Sequence, residues 1–179
     1  MTFLLPDQPI TSLDQYLDTE TGGLGVETAQ RLGPRSTIAT IVAAGLRGRG
    51  GGGFPTGRKW AGIAAQAGAR RYVVCNGAEG EPLSRKDALL LTRAPHLVID
   101  GLEAAAAAID ADKVYLYVHA DAVPAVTKAL AERPNRITVI EAPDTFVAGE
   151  ESAVVRRIEG GPALPQDRIV VAAVSGVRG

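Results

Sequence analysis

The sequence predicts an α/β fold: a mostly parallel sheet flanked by helices, preceded by a short helical N-terminal segment. Three observations carry this. Compact β-branched runs (RRYVVCN, KVYLYVH, RITVIEA) alternate with longer segments of helical periodicity, the pattern of strand–helix–strand units. Apolar residues make up 46% of the 179 positions and are mainly Ala, Val, Leu and Ile, while aromatics are only 4%; that mix suits helices packed on a sheet. Glycine or proline punctuates several of the periodic segments where a helix has to stop.

The elements follow in order. ITSLDQYL opens a short helix, with Ser12 placed to cap it and Gln15 three residues on. VETAQRLG and STIATIVAAG read as helices that end at Gly33 and Gly45. The glycine-rich stretch GLRGRGGGGFPTGRKW, residues 45–60, comes next, and GRKWAGIAAQAG reads as a helix leaving it and stopping at Gly68. RRYVVCN is a buried strand that runs into the turn GAEGEP. SRKDALLLTRAPHLVIDGLEAAAAAID is helical with a break near Pro95. KVYLYVH is the second strand, DAVPAVTKALAER a helix, RITVIEA the third strand, and GEESAVVRRIEG a helix beginning at its two glutamates. GPALPQDR is a loop, and IVVAAV is a strand or extended segment. The expected division is 1–45 for the helical N-terminal segment, 46–160 for the α/β domain and 161–179 for a tail.

Composition removes several function classes. Charged residues are 22% and the net charge is −1, so nothing points to nucleic acid. Cys75 is the single cysteine; no disulfide framework and no cysteine-based iron–sulfur site can be built from it. His96 and His119 match no zinc spacing, so no metal site is expected, and both read as structural. The N-terminus lacks a basic start and a signal-peptide run, and no window approaches the roughly 18 apolar residues of a membrane span. A soluble cytoplasmic protein without direct membrane insertion is the expectation.

Three stretches carry chemistry. Residues 45–60 hold seven glycines, three arginines and a lysine. Gly48, Gly50 and Gly53 satisfy G-x-G-x-x-G, but the segment before them reads as a helix, where the dinucleotide fingerprint needs a strand. Gly52 and Gly57 have P-loop spacing, yet Arg58-Lys59 stands where Lys-Ser/Thr is required. Neither motif holds. Bare backbone N–H groups, a following helix N-terminus and the basic side chains still suit an anion. A flexible surface loop is the alternative, and Phe54-Pro55 argues against it, because proline fixes the ring as a stacking platform. In CNGAEGEP, Asn76 ends a strand and Glu79 and Glu81 follow; this is equally a ligand site at a strand's C-terminal edge and a solvated turn. In FVAGEESAVV, Glu150 and Glu151 occupy the first helical turn, where capping competes evenly with ligand binding. Cys75 reads as a small core residue rather than a nucleophile.

Taken in order, GLRGRGGGGFPTGRKW, YVVCNGAEGEP with KD five residues on, and GEESAVVRRIEG resemble the flavin-carrying, NADH-oxidising subunit of respiratory complex I (the 51 kDa or F-type chain), and especially its shorter free-standing relatives. The resemblance covers roughly residues 10–160. It implies a Rossmann-like FMN-binding domain that takes FMN and NADH together. The glycine loop then comprises Gly48, Arg49, Gly50, Gly51, Gly53, Thr56 and Gly57, with Phe54 stacking on NADH and Lys59 reaching the flavin side. Asn76, Glu79 and Glu81 match the family's flavin-holding turn, with Ala78 where the family has Asp. Gly149, Glu150 and Glu151 match its Tyr-x-Cys-Gly-Glu-Glu, while Phe146 and Ala148 depart from it: Phe146 stands for the Tyr, keeping the ring without the hydroxyl, and Ala148 for the Cys.

The chemistry implied is hydride transfer from NADH to FMN, followed by electron passage to an iron–sulfur centre, with no side chain acting as a catalytic nucleophile. The family continues beyond GVRG into an Asn-rich flavin loop, a ubiquitin-like domain and a four-cysteine [4Fe–4S] domain. This sequence ends at VSGVRG, so the cluster is expected only in a following region or on a partner, either ferredoxin-like or a complex I E-type subunit. The resemblance adds, as a second location, a peripheral place on the inner face of the plasma membrane through such a complex. The competing reading is a truncated, catalytically incomplete nucleotide-binding relative, which leaves open whether the chain is an enzyme.

Overall fold

The computed structural model describes residues 7–49, 52–68, 70–81 and 83–165. Helix α1 (Leu13–Leu17) is capped as its sequence predicts: Ser12 Oγ accepts a hydrogen bond from the Gln15 N–H at 3.3 Å. Helix α2 (Leu24–Ala43) is two helices joined at Gly33, whose φ of 75° and ψ of 171° break the ladder just before Pro34. The hydroxyl of Thr37 bridges that break, 2.8 Å from Gly33 O and 3.2 Å from Ala29 O. Helix α3 (Thr56–Ala64) leaves the glycine loop but stops four residues short of Gly68. The Arg71 guanidinium takes the carbonyls of Ala64 and Gln66 at 3.2 and 3.3 Å, satisfying the helix end there.

Strand β1 (Tyr72–Gly77) follows, then α4 (Lys86–Arg93) and α5 (Pro95–Ile109), separated at Pro95 as expected. Strand β2 (Lys113–His119), α6 (Val123–Ala131), β3 (Ile137–Ala142) and α7 (Glu151–Ile158) complete the described elements. The expected strand in IVVAAV lies outside the described residues.

The three strands form one parallel sheet in the order β1-β2-β3. Asn76 pairs with Tyr117, and Tyr117 with Ile140. Side chains alternate between the faces of the sheet. One face buries Val73, Cys75, Val114, Leu116, Val118 and Val139 against residues of α4, α5 and α6. The other carries Val74, Tyr117 and Ile140 against Val154 and Ile158 of α7. Cover on both faces is why the strands read as continuous apolar runs rather than clean alternations.

Helices α1 and α2 pack on α5, and a polar cluster ties α1 and the end of α6 to it. The Tyr16 hydroxyl donates to Asp100 Oδ2 at 2.8 Å, and Arg133 pairs with Asp100 at 2.6 Å and Glu103 at 2.8 Å. Glu132 accepts from the Leu13 N–H at 2.6 Å and sits 3.2 Å from the fully buried His96. His96 is thus held in a packed structural position, and burial pushes its pKa down against the pull of Glu132. Among the described residues, no helix is long and apolar enough to cross a membrane.

Candidate functional site

The glycine loop is closed at its base like a purse. Gly48 N–H donates to Phe54 O at 3.0 Å, Thr56 N–H to Leu46 O at 2.9 Å, and the Arg47 guanidinium to Gly53 O at 3.1 Å. Gly50 and Gly51 lie outside the described residues. Space around the Cα atoms of Gly52 and Gly53 is open, so another group can approach the backbone there. Phe54 stands 57% exposed on this loop, leaving its ring open to contact from outside the fold. Thr56 begins α3, and Gly57 is buried against Val42 of α2, packing one helix on the other.

Asn76, at the end of β1, is used at both ends of its amide. Nδ2 donates to Gly149 O at 2.8 Å, and Oδ1 accepts from the Ala78 N–H at 3.3 Å, which shapes the turn that follows. Glu79 is tied into that turn: it accepts from Ser84 Oγ, from the Asp87 N–H at 2.9 Å and from Lys86 Nζ at 3.3 Å. Burial alone raises the Glu79 pKa, but these three donors overcome it and hold the carboxyl below its ordinary range. His119 Nε2 lies 3.2 Å from Glu79 O. Cys75, next to Asn76, faces the core, and burial pushes its thiol up to about 11, which makes it a poor nucleophile.

The third stretch folds against the second. Glu150 caps α7, accepting from the Ser152 and Ala153 N–H groups at 2.9 and 3.1 Å, so the capping reading of this residue holds. Glu151 reaches Lys59 of α3 at 3.9 Å, with both side chains more than half exposed. An open pair of this kind contributes about 0–1 kcal/mol. Phe146 is 73% exposed. Gly149 and Gly80 are there because the two turns touch backbone to backbone. A Cβ on Gly149 would overlap Ala78 O, and one on Gly80 would overlap Phe146 O.

The result is a ridge of two interlocked turns at the C-terminal end of the parallel strands, with cavities beside it. One, of about 590 Å³, is lined by Arg49, Asn76, Glu79, Glu81, Lys86 and Gly149. A second, of about 710 Å³, opens between the same turn and the ends of β2 and β3, with His119, Glu141 and Phe146 in its wall. A third, of about 410 Å³, follows the outer edge of β1 between Trp60, Tyr72 and Val154, and reaches Lys59 and Glu151. Among the described residues, no group of His, Cys, Asp or Glu is arranged to hold a metal ion.

So the fold gathers residues from all three sequence stretches: Arg49 from the first, Asn76, Glu79 and Glu81 from the second, and Gly149 from the third around one cavity. Lys59 and Glu151 meet at its neighbour. Sequence reading misses Ser84, Lys86 and Asp87 as the groups that fix Glu79, and Tyr117, which grips the third stretch. Lys86-Asp87 enters that reading only as part of a longer pattern; its own signal is a charged doublet opening a helix.

A parallel α/β domain with a glycine loop and two acidic turns brought to one strand edge is the architecture of a nucleotide-type binding site. The chain belongs to the Nuo51 FMN-binding domain family, whose model matches residues 41–177. It is 33% identical over 162 residues to the F 2 subunit of the NADH-quinone oxidoreductase of Rhizobium meliloti (strain 1021), covering 80% of this chain and 38% of that protein. It is 32% identical over 176 residues to the F subunit of the NADH-quinone oxidoreductase of Aquifex aeolicus (strain VF5), covering 88% of this chain and 41% of the relative. Among solved structures it is similar to a chain of an NAD+-reducing [NiFe]-hydrogenase in the H2-reduced state, with a TM-score of 0.78 and 35% identity over 93% of this chain and 31% of that one. The sequence therefore spans about two-fifths of the length of these curated relatives.

Proposed function

We propose that this chain is the electron-input domain of an NADH-oxidising flavoprotein, binding FMN and NADH together and passing electrons to an iron–sulfur centre outside the chain. The observation that carries the reading is the convergence of the three stretches on one strand edge, in a chain that belongs to an FMN-binding family. The residues present fit a flavin mononucleotide. The cavity of about 590 Å³ lies within the usual range for a ligand of this size, and its wall mixes a guanidinium, an amide and carboxylates. The uncovered backbone of Gly52 and Gly53 admits close approach by a phosphate or a ring.

FMN, when bound, would supply a hydride acceptor able to hand electrons on one at a time. The chain's own residues do the holding. Arg49 and the N–H groups of the glycine loop take phosphate charge, with Gly48, Gly50, Gly51, Gly53, Thr56 and Gly57 shaping that loop. Phe54, exposed on the loop, offers its face to the NADH nucleotide. Glu81 accepts from hydroxyls, while Asn76 and Glu79 shape the turn that carries it. Lys59 and Glu151 face each other where the loop meets α7, Phe146 lines the far wall, and Glu150 holds the start of α7 behind it. No nucleophile is required. Residues 46–160 form the binding unit in this proposal, with 1–45 as the helical N-terminal segment, and the acceptor is an iron–sulfur domain or partner chain, ferredoxin-like or of the complex I E type. The setting is cytoplasmic, peripheral to a membrane through that complex.

The test is direct. The purified chain is incubated with FMN and then NADH under anaerobic conditions. The expected result is a bound-flavin visible spectrum that bleaches on NADH addition; absence of flavin binding at micromolar concentration refutes the reading for this chain.

A further inference from the structure

We propose that Tyr117 is a positioning residue for the flavin-binding edge, its phenol fixing the Ala148–Gly149 peptide that forms one wall of the cavity. The inference rests on the flavin reading above and adds a residue that belongs to none of the three sequence stretches.

Tyr117 is fully buried in β2, on the face covered by α7, among Ala78, Ala142 and Val154. Its hydroxyl donates to Ala148 O at 3.0 Å, thirty-one residues on. Ala148 is itself fully buried, so its carbonyl has no bulk water to turn to. Asn76, the register partner of Tyr117 on β1, donates to the next carbonyl, Gly149 O. Two neighbouring strand residues thus hold two consecutive carbonyls of one turn. The turn's own backbone bonds, Ala148 N–H to Thr145 O and Glu150 N–H to Val147 O, both at 3.0 Å, set its local shape, and the sheet adds the two anchors that fix where it sits. Gly149 has no slack, because Ala78 O already sits where its Cβ would be. A change in the Ala148 peptide must therefore be transmitted to the cavity wall. Burial raises the Tyr117 pKa despite Arg157, so the phenol keeps the proton it donates.

Tyr117→Phe keeps the ring and removes only the donor. Expected are an unchanged far-UV spectrum, an FMN dissociation constant raised about fivefold and a shifted visible band of the bound flavin. Tyr115→Phe serves as the control: this ring stacks on Tyr72 on the same face, and its change leaves FMN affinity as it was. An affinity within about twofold of the unsubstituted chain for Tyr117→Phe, even with a lowered melting temperature, overturns the proposal. The flavin-free chain gives a separate reading. In it, Tyr117→Phe is expected to move the amide resonances of Gly149 and Ala78, and unmoved resonances overturn the positioning role. In the unsubstituted chain the Tyr117 hydroxyl proton is expected to exchange slowly; fast exchange overturns the proposal without any variant having to fold. If the unsubstituted chain binds no FMN, the flavin reading falls, and these flavin-free measurements still decide whether Tyr117 sets the turn.

Discussion

Asn76 and Tyr117 are register partners in the parallel ladder, and their side chains hold consecutive carbonyls of one distant turn, Gly149 O at 2.8 Å and Ala148 O at 3.0 Å. The arrangement makes the edge of the sheet a template for a loop more than thirty residues away. It also gives Asn76 a structural task that precedes any contact with a ligand: one amide shapes its own turn and anchors another.

The contact between those turns predicts a sharp intolerance of side chains. Gly149→Ala and Gly80→Ala each drive a Cβ into a backbone carbonyl, which no rotamer can relieve. Each is expected to destabilise the fold by about 2–3 kcal/mol and to abolish FMN binding. Gly101→Ala, exposed in α5 with open space around it, is expected to be neutral or to stabilise by about 0.5–1 kcal/mol. Chemical denaturation of the three variants checks this ordering.

Glu79 predicts a pH dependence. Its folded pKa is below the ordinary 4.5 because Ser84, the Asp87 N–H and Lys86 outweigh the effect of burial. A depressed carboxylate contributes stability that is present above the unfolded value and lost as pH falls through the folded one. The chain is therefore expected to lose stability below about pH 4.5, and Glu79→Gln to flatten that part of the profile. A Glu79→Gln profile that falls as steeply as the original removes Glu79 from this role.

The stacking role proposed for Phe54 predicts different effects on the two proposed ligands. The ring stands exposed on the glycine loop, outside the cavity wall formed by Asn76 and Glu81. Phe54→Ala is expected to weaken NADH use about tenfold while leaving FMN affinity within about twofold. Steady-state kinetics beside flavin titration measure both; equal losses contradict a stacking role.

Tyr16 tests the bracing of the N-terminal helices. Its hydroxyl bonds to buried Asp100, and burial together with that carboxylate raises its pKa to about 12. A raised pKa means stability that is fully present below the unfolded value of 10 and is lost as pH rises through 12. Tyr16→Phe is expected to cost about 1–2 kcal/mol at neutral pH and to expose residues 7–20 to protease. Limited proteolysis with mass analysis follows the first cut.

Much of the local structure is legible in the sequence because its causes are local. Ser12 caps α1, Gly33 and Pro34 break α2, Pro95 separates α4 from α5, and Glu150 begins α7, each by chemistry confined to a few neighbouring residues. The helix from the glycine loop ends early because its end is governed by Arg71, whose guanidinium also reaches Ile109 O in α5. Tyr117 escapes notice for a related reason. A tyrosine in an apolar strand looks like core, and nothing beside it in sequence names the carbonyl it holds.

The sequence by itself determined the alternation of strands and helices, the three ligand-type stretches and their order, because these depend on side-chain periodicity and backbone conformational limits. Only the tertiary structure decided which atoms those stretches spend on one another. Asn76 and Glu79, carboxamide and carboxylate alike, are largely committed to shaping turns, while Arg49 and Glu81 line the cavity. That division follows from the parallel register, which sets Asn76 beside Tyr117 and brings Gly149 against Ala78 across more than seventy residues of chain. Buried polar groups must find partners, and the nearest partners in space are fixed by strand pairing rather than by distance along the chain.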